Sequence, residues 1–122
     1  MVPSKGDQRF PRSRHLRRPG EFRRNRRSGS SRRSEHFIVS LSSGPGPGPR
    51  LGLTVSRRVG GAVARNRLKR RLRELFRLDT SLFPDGTDVV IVALKGSARL
   101  TSGQIRAQIL DCLERLGSGG RG

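Results

Sequence analysis

Residues 65–77 read Arg-Asn-Arg-Leu-Lys-Arg-Arg-Leu-Arg-Glu-Leu-Phe-Arg, and this stretch decides how the rest of the chain is arranged. Leu68, Leu72, Leu75 and Phe76 fall at i, i+4, i+7 and i+8, the spacing of one apolar helical stripe. Asn66, Lys69, Arg70, Arg73 and Arg77 recur at three- and four-residue steps on a neighbouring face. The spacing predicts a helix that buries one face in a core and turns the other toward an anion. Against seven cations this stretch has one acid, Glu74, so like charges repel along the helix by about a few tenths of a kcal/mol per i,i+4 pair. A solvated face usually mixes signs, and this one does not. Its cations are nearly all Arg, whose planar fork suits bidentate contacts to phosphate.

Outward from this helix the chain alternates between strand and helix patterns. Just upstream, Gly60 and Gly61 supply a turn into the helix, and residues 51–57 place Leu51, Leu53 and Val55 on one face of a strand. Residues 35–42 alternate in the same way, with Phe37, Val39 and Leu41 on one face. Residues 43–49, Ser-Gly-Pro-Gly-Pro-Gly-Pro, form neither helix nor ladder, so they predict a loop. The simplest pairing of the two flanking segments is an antiparallel hairpin with a long connection.

Downstream, residues 84–86 close a connection, and residues 87–94 run apolar from Val89 to Leu94, as in a strand covered on both faces. Thr101 or Ser102 caps a last helix with Ile105, Ile109, Cys112, Leu113 and Leu116 on one stripe. Cys112 on that stripe reads as a small core residue. Pro19 and Gly29 bracket a short first helix around Phe22 and Arg26. Residues 1–17 read as a disordered basic arm and 117–122 as a flexible tail. The fold class is therefore α+β, a small α/β sandwich in the order α-β-β-α-β-α, formed by a single domain over residues 18–116. General practice makes its β-α-β crossover right-handed.

The 122 residues carry a net charge of +18, concentrated in residues 1–34 (+10) and 61–80 (+5). Such an excess points to nucleic acid or an anionic membrane surface. No apolar run approaches the roughly 18 to 20 residues that span a bilayer, and the N-terminus lacks a signal-peptide core, so the expected location is cytoplasmic, with no membrane partner. Cys112 is the single cysteine, which excludes an internal disulfide and a thiolate metal cluster. No nucleophile with its base, carboxylate pair or metal-ligand spacing accompanies His15 or His36. Asp85 and Asp88 flank a turn. The chain reads as a binder, and any catalysis belongs to another component.

Residues 51–73, Leu-Gly-Leu-Thr-Val-Ser-Arg-Arg-Val-Gly-Gly-Ala-Val-Ala-Arg-Asn-Arg-Leu-Lys-Arg-Arg-Leu-Arg, resemble the protein subunit of bacterial ribonuclease P. The shared pattern is a Gly-Leu-x-Val-Ser strand ending in two bases, a Gly-x-Ala-Val turn, and Arg-Asn-Arg-x-Lys-Arg-x-x-Arg. The likeness extends over about residues 16–116. It implies a protein that binds a catalytic RNA and the 5′ leader of precursor tRNA, and assists endonucleolytic removal of the leader. Mg²⁺ would be held mainly by the RNA, with no catalytic residue in the protein. The resemblance also implies a left-handed β-α-β crossover, which displaces the right-handed default. It assigns RNA contact to Arg57, Arg58, Arg65, Asn66, Arg67, Lys69, Arg70 and Arg73, and a leader cleft to Phe22, Arg26 and Phe37. The chain departs from the pattern at Gly61, where the family often has Asn, and at Arg26 and Ser40, where large apolar residues are common.

Without the motif, a ribosomal or other structural RNA-binding protein is the natural reading of such a basic sandwich. A DNA-binding regulator is disfavoured, since no base-reading recognition helix is evident.

Overall fold

The computed structural model describes residues 30–44, 46 and 48–119. Residues 1–17, the expected first helix with Phe22 and Arg26, and the last residues of the expected tail lie outside the described residues. Four strands, β1 (Ser30–Arg33), β2 (Phe37–Ser43), β3 (Arg50–Val55) and β4 (Thr87–Ala93), build one sheet, and two helices, α1 (Ala62–Leu78) and α2 (Ser102–Gly119), pack on it. The fold is α+β, as expected, and α2 continues to Gly119, into the segment expected to be tail.

The sheet order is β1-β2-β4-β3, which corrects the expected hairpin. β2 runs antiparallel to β4 and β3 parallel to it, so β4 lies between the two strands expected to pair. The reason lies in β4. Its apolar run buries Val89, Ile91 and Ala93 on one face and Asp88 and Val90 on the other, which suits a central strand with a neighbour on each side. Ser43 pairs with Thr87 and Arg50 with Asp88, so the Pro/Gly loop 44–49 steps across the start of β4, a span of about two strand spacings, near 10 Å. A loop rich in Pro suits that crossing better than a tight turn.

β1 was not expected. Its four residues, Ser-Ser-Arg-Arg, are all exposed and show no alternation of polarity, so nothing in the sequence marks a strand. It forms because an edge strand has one free side, where solvent-facing polar residues cost nothing. Arg115 Nη2 donates to Arg33 O at 2.8 Å, and Gln108 Oε1 accepts from Ser34 Oγ and from His36 N at 2.9 Å each. These bonds from α2 hold β1 and its turn against the body.

One core joins β2, β3, β4, α1 and α2. Phe37, Val39, Leu51, Val55, Val89, Ile91 and Ala93 come from the sheet, Leu68, Leu72 and Phe76 from α1, and Ile105, Ile109, Cys112 and Leu116 from α2. Phe76 and Phe83 add a tilted ring pair with centroids 4.7 Å apart. Thr101 caps α2 reciprocally. Its Oγ1 accepts from Gln104 N at 3.1 Å, and its own N–H donates to Gln104 Oε1 at 2.9 Å, a capping box.

On the other face of the sheet Arg50 Nε and Nη2 donate to the two Asp88 oxygens at 2.8 and 2.9 Å. Asp88 therefore serves the β3–β4 ladder rather than the turn before it. A Cβ on Gly44 would lie 2.5 Å from Asp88 Oδ1, so the loop needs glycine there to pass the ion pair.

Candidate nucleic-acid interface

The two faces of α1 divide as the spacing predicts. Leu68, Leu72 and Phe76 are buried, while Asn66, Arg67, Arg70 and Arg73 are exposed. The helix begins at Ala62, three residues before the Arg-rich stretch, with Gly61 as its N-cap and no side-chain capping bond or first-turn acid. No acid of the helix's own first turn thus competes for an anion there.

The seven cations of the helix do different things. Arg65 is half-buried, and its Nε donates to Gly60 O at 3.1 Å, so it fastens the preceding turn. Arg71 Nη1 donates to Leu100 O at 2.9 Å and ties α1 to the segment entering α2. Arg77 pairs with Glu74, whose carboxyl is held below its usual range chiefly by that hydrogen bond. Arg67, Lys69, Arg70 and Arg73 have no side-chain partner among the described residues. Arg67, Arg70 and Arg73 are exposed, and Lys69 is half-buried. Anionic ligands are open to these four.

Arg57 and Arg58 lie on a 3-10 turn, Arg57–Val59, immediately after β3, and both are exposed. Because β3 and β4 are parallel, the turn after β4 opens at the same end of the sheet, and it carries Lys95 and Arg99, also exposed. α1 starts at that end as well. The sequence reading missed Lys95 and Arg99 because they stand as isolated cations in a nearly neutral third of the chain. Only the parallel pairing of β3 and β4 brings them to the same end of the sheet as Arg57 and Arg58.

Phe37 is not available to a cleft. Its side chain is 0 % exposed and faces the helices with Val39, because the alternation of β2 sends residues 37, 39 and 41 to the core side. The expected placement of Phe37 in a leader cleft is therefore corrected. Phe22 and Arg26 lie outside the described residues.

Among the described residues no three of His, Cys, Asp and Glu come together as metal ligands. The carboxylates of Glu74, Asp79, Asp88 and Asp111 are each paired with an Arg. This donor set does not fit a divalent cation, which prefers several free oxygens. Cys112 is 0 % exposed, and burial pushes its thiol above the ordinary range, so it offers no ready nucleophile.

Residues 10–117 match the family model described as Ribonuclease P. The chain belongs to the ribonuclease P protein family. A ribonuclease P protein component from Citrifermentans bemidjiense is 41 % identical over 107 residues, covering 88 % of this chain and 91 % of the relative. The solved ribonuclease P protein of Thermotoga maritima superposes with a TM-score of 0.72 at 32 % identity, covering 80 % of this chain and 92 % of that one. A Staphylococcus aureus ribonuclease P protein, described as a mutant with defective mRNA degradation activity, gives 0.78 at 26 %, covering 86 % and 89 %. As a member, the chain serves as the protein component of the ribonuclease P ribonucleoprotein in tRNA 5′ processing. The holoenzyme is an endoribonuclease in which the protein assists the RNA, and the ribonuclease P reading of residues 51–73 holds.

Proposed function

We propose that the exposed face of α1, together with the turn after β3, binds the catalytic RNA of ribonuclease P, and that the chain also engages the 5′ leader of precursor tRNA. The observation that carries this reading is the set of cations with no partner among the described residues, Arg67, Lys69, Arg70 and Arg73, beside exposed Arg57 and Arg58. Each of these guanidinium or ammonium groups is free to displace a counterion from phosphate, the main source of protein–RNA affinity. Arg65 and Arg71 support the surface from within, by holding the turn before α1 and the segment after β4.

Mg²⁺ belongs with the RNA in this reading, since Glu74, Asp79, Asp88 and Asp111 are committed to Arg and no three potential ligands cluster among the described residues. Phe22 and Arg26 remain the proposed leader contacts. The expected site of action is the cytoplasm, and among the described residues no helix is long and apolar enough to cross a membrane.

The test is cleavage of precursor tRNA at low Mg²⁺ by the catalytic RNA, with and without the full-length protein. Correct 5′ cleavage that rises on adding protein is the expected result. Failure of the protein to bind the RNA or to stimulate cleavage would refute the proposal. A protein-only arm, with precursor tRNA and with an mRNA, belongs in the same experiment because of the activity ascribed to the Staphylococcus protein.

A further inference from the structure

Val63 is 74 % exposed, more than any other large apolar side chain among the described residues. A single exposed apolar side chain is ordinary by itself, so its placement has to carry the argument. Val63 is in the first turn of α1, three and four residues before Asn66 and Arg67 and seven before Arg70. These four side chains share the exposed face. Folding does not explain valine at this position. Its β-branch makes it a poorer helix former than Ala, Lys or Arg, and it adds nothing to the core.

A face that held a polyanion by charge alone would gain from a cation at residue 63 and nothing from an isopropyl group. RNA has apolar surface too, in the faces of nucleobases that are neither paired nor stacked. The residues before Val63, Gly61 and Ala62, are small and exposed, so neither screens Val63 from an approaching base.

We propose that Val63 packs against the face of an unpaired nucleobase in the RNA bound by α1, while Arg67 and Arg70 hold the flanking phosphates. A duplex hides its base faces, so this contact favours a single-stranded nucleotide at that point of the RNA. The inference rests on α1 facing RNA, and the experiment separates the two claims.

Binding of the full-length protein to the catalytic RNA is measured across a range of salt for wild type, Val63→Ser, Val63→Lys and Arg70→Gln, with thermal unfolding confirming that each variant folds. An apolar contact does not depend on released counterions. Val63→Ser should therefore weaken binding by roughly five- to tenfold at every salt, about half the worth of fully burying a valine, and leave the slope of log K against log salt unchanged. Val63→Lys should also weaken binding at high salt. A merely cationic face would instead be strengthened by the added charge, with a slope steeper by about 0.7 to 0.9. If Val63→Ser binds like wild type while Arg70→Gln weakens binding, the base contact is refuted and the RNA-facing helix stands. If Arg70→Gln changes neither affinity nor slope, the RNA-facing reading of α1 falls, and the contact of Val63 falls with it.

Discussion

At the scale of single residues, neighbours on α1 have opposite duties. Leu72 is 0 % exposed in the centre of the core, whereas Arg73 beside it is exposed. Leu72→Ala should cost about 2 to 5 kcal/mol, lost transfer energy plus the cavity left behind, a large share of a small domain's stability. Arg73→Ala should leave stability within about 0.5 kcal/mol and instead weaken holoenzyme assembly. Thermal unfolding and precursor tRNA cleavage of both variants check this, and an unfolded Arg73→Ala would overturn the helix register. Cys112 offers a second test. With its thiol buried and its ionisation pushed up, alkylation at mildly basic pH should be slow in the folded protein and fast in denaturant. Rapid labelling of the native chain would show that α2 does not seal the core there. Leu72, Arg73 and Cys112 were legible from sequence because helical spacing alone separates a core face from a solvent face. Phe37 was only half legible. Alternation placed it on one face of β2, but which face is the core depends on where the helices pack.

At the scale of elements, helices and strands were readable and their neighbours were not. The 3.6-residue period of residues 65–77 and 105–116 and the two-residue period of residues 37–41 are local signals, set by side-chain geometry. Strand order is not local. Nothing in residues 35–57 states that β4, some thirty residues later, inserts between β2 and β3, and β1 has no apolar residue to betray it. Tethers between elements were equally hidden, since Arg71 belongs to the same cationic run as Arg70. The structure gives the two residues different work, which a pair of substitutions can separate. Arg71→Met removes the hydrogen bond to Leu100 O and keeps the aliphatic stem, so it should cost about 1 to 2 kcal/mol of stability and leave the salt slope of RNA binding alone. Arg70→Gln should do the reverse, with unchanged stability and a slope shallower by about 0.7 to 0.9. Identical behaviour of the two variants would mean that the tether has no part in the fold.

At the scale of the molecule, the parallel pairing of β3 and β4 puts exposed Arg57, Arg58, Lys95 and Arg99 on turns at one end of the sheet, the end at which α1 begins its row of cations. Of the cations assigned to RNA contact from the sequence, Arg57, Arg58, Arg67, Arg70 and Arg73 are exposed, while Arg65 and Lys69 are half-buried. If those five and Lys69 each neutralise one phosphate, log K for the catalytic RNA should fall with log salt at a slope of roughly −4.2 to −5.4, from about −0.7 to −0.9 per contact. A steeper slope would bring in Lys95 and Arg99, which the parallel pairing of β3 and β4 sets at the same end of the sheet as Arg57 and Arg58, and Lys95→Gln with Arg99→Gln would then return it to that range. A slope near zero would show that the charge of this chain serves solubility rather than recognition. The same molecule, freed of RNA, should cleave neither precursor tRNA nor mRNA, because among its described residues no three potential metal ligands cluster, four carboxylates are paired with Arg and its one thiol is sealed in the core. Processing by rigorously RNA-free protein, lost when Asp88 or Glu74 is changed to its amide, would overturn that division of labour and put a catalytic group in the protein itself.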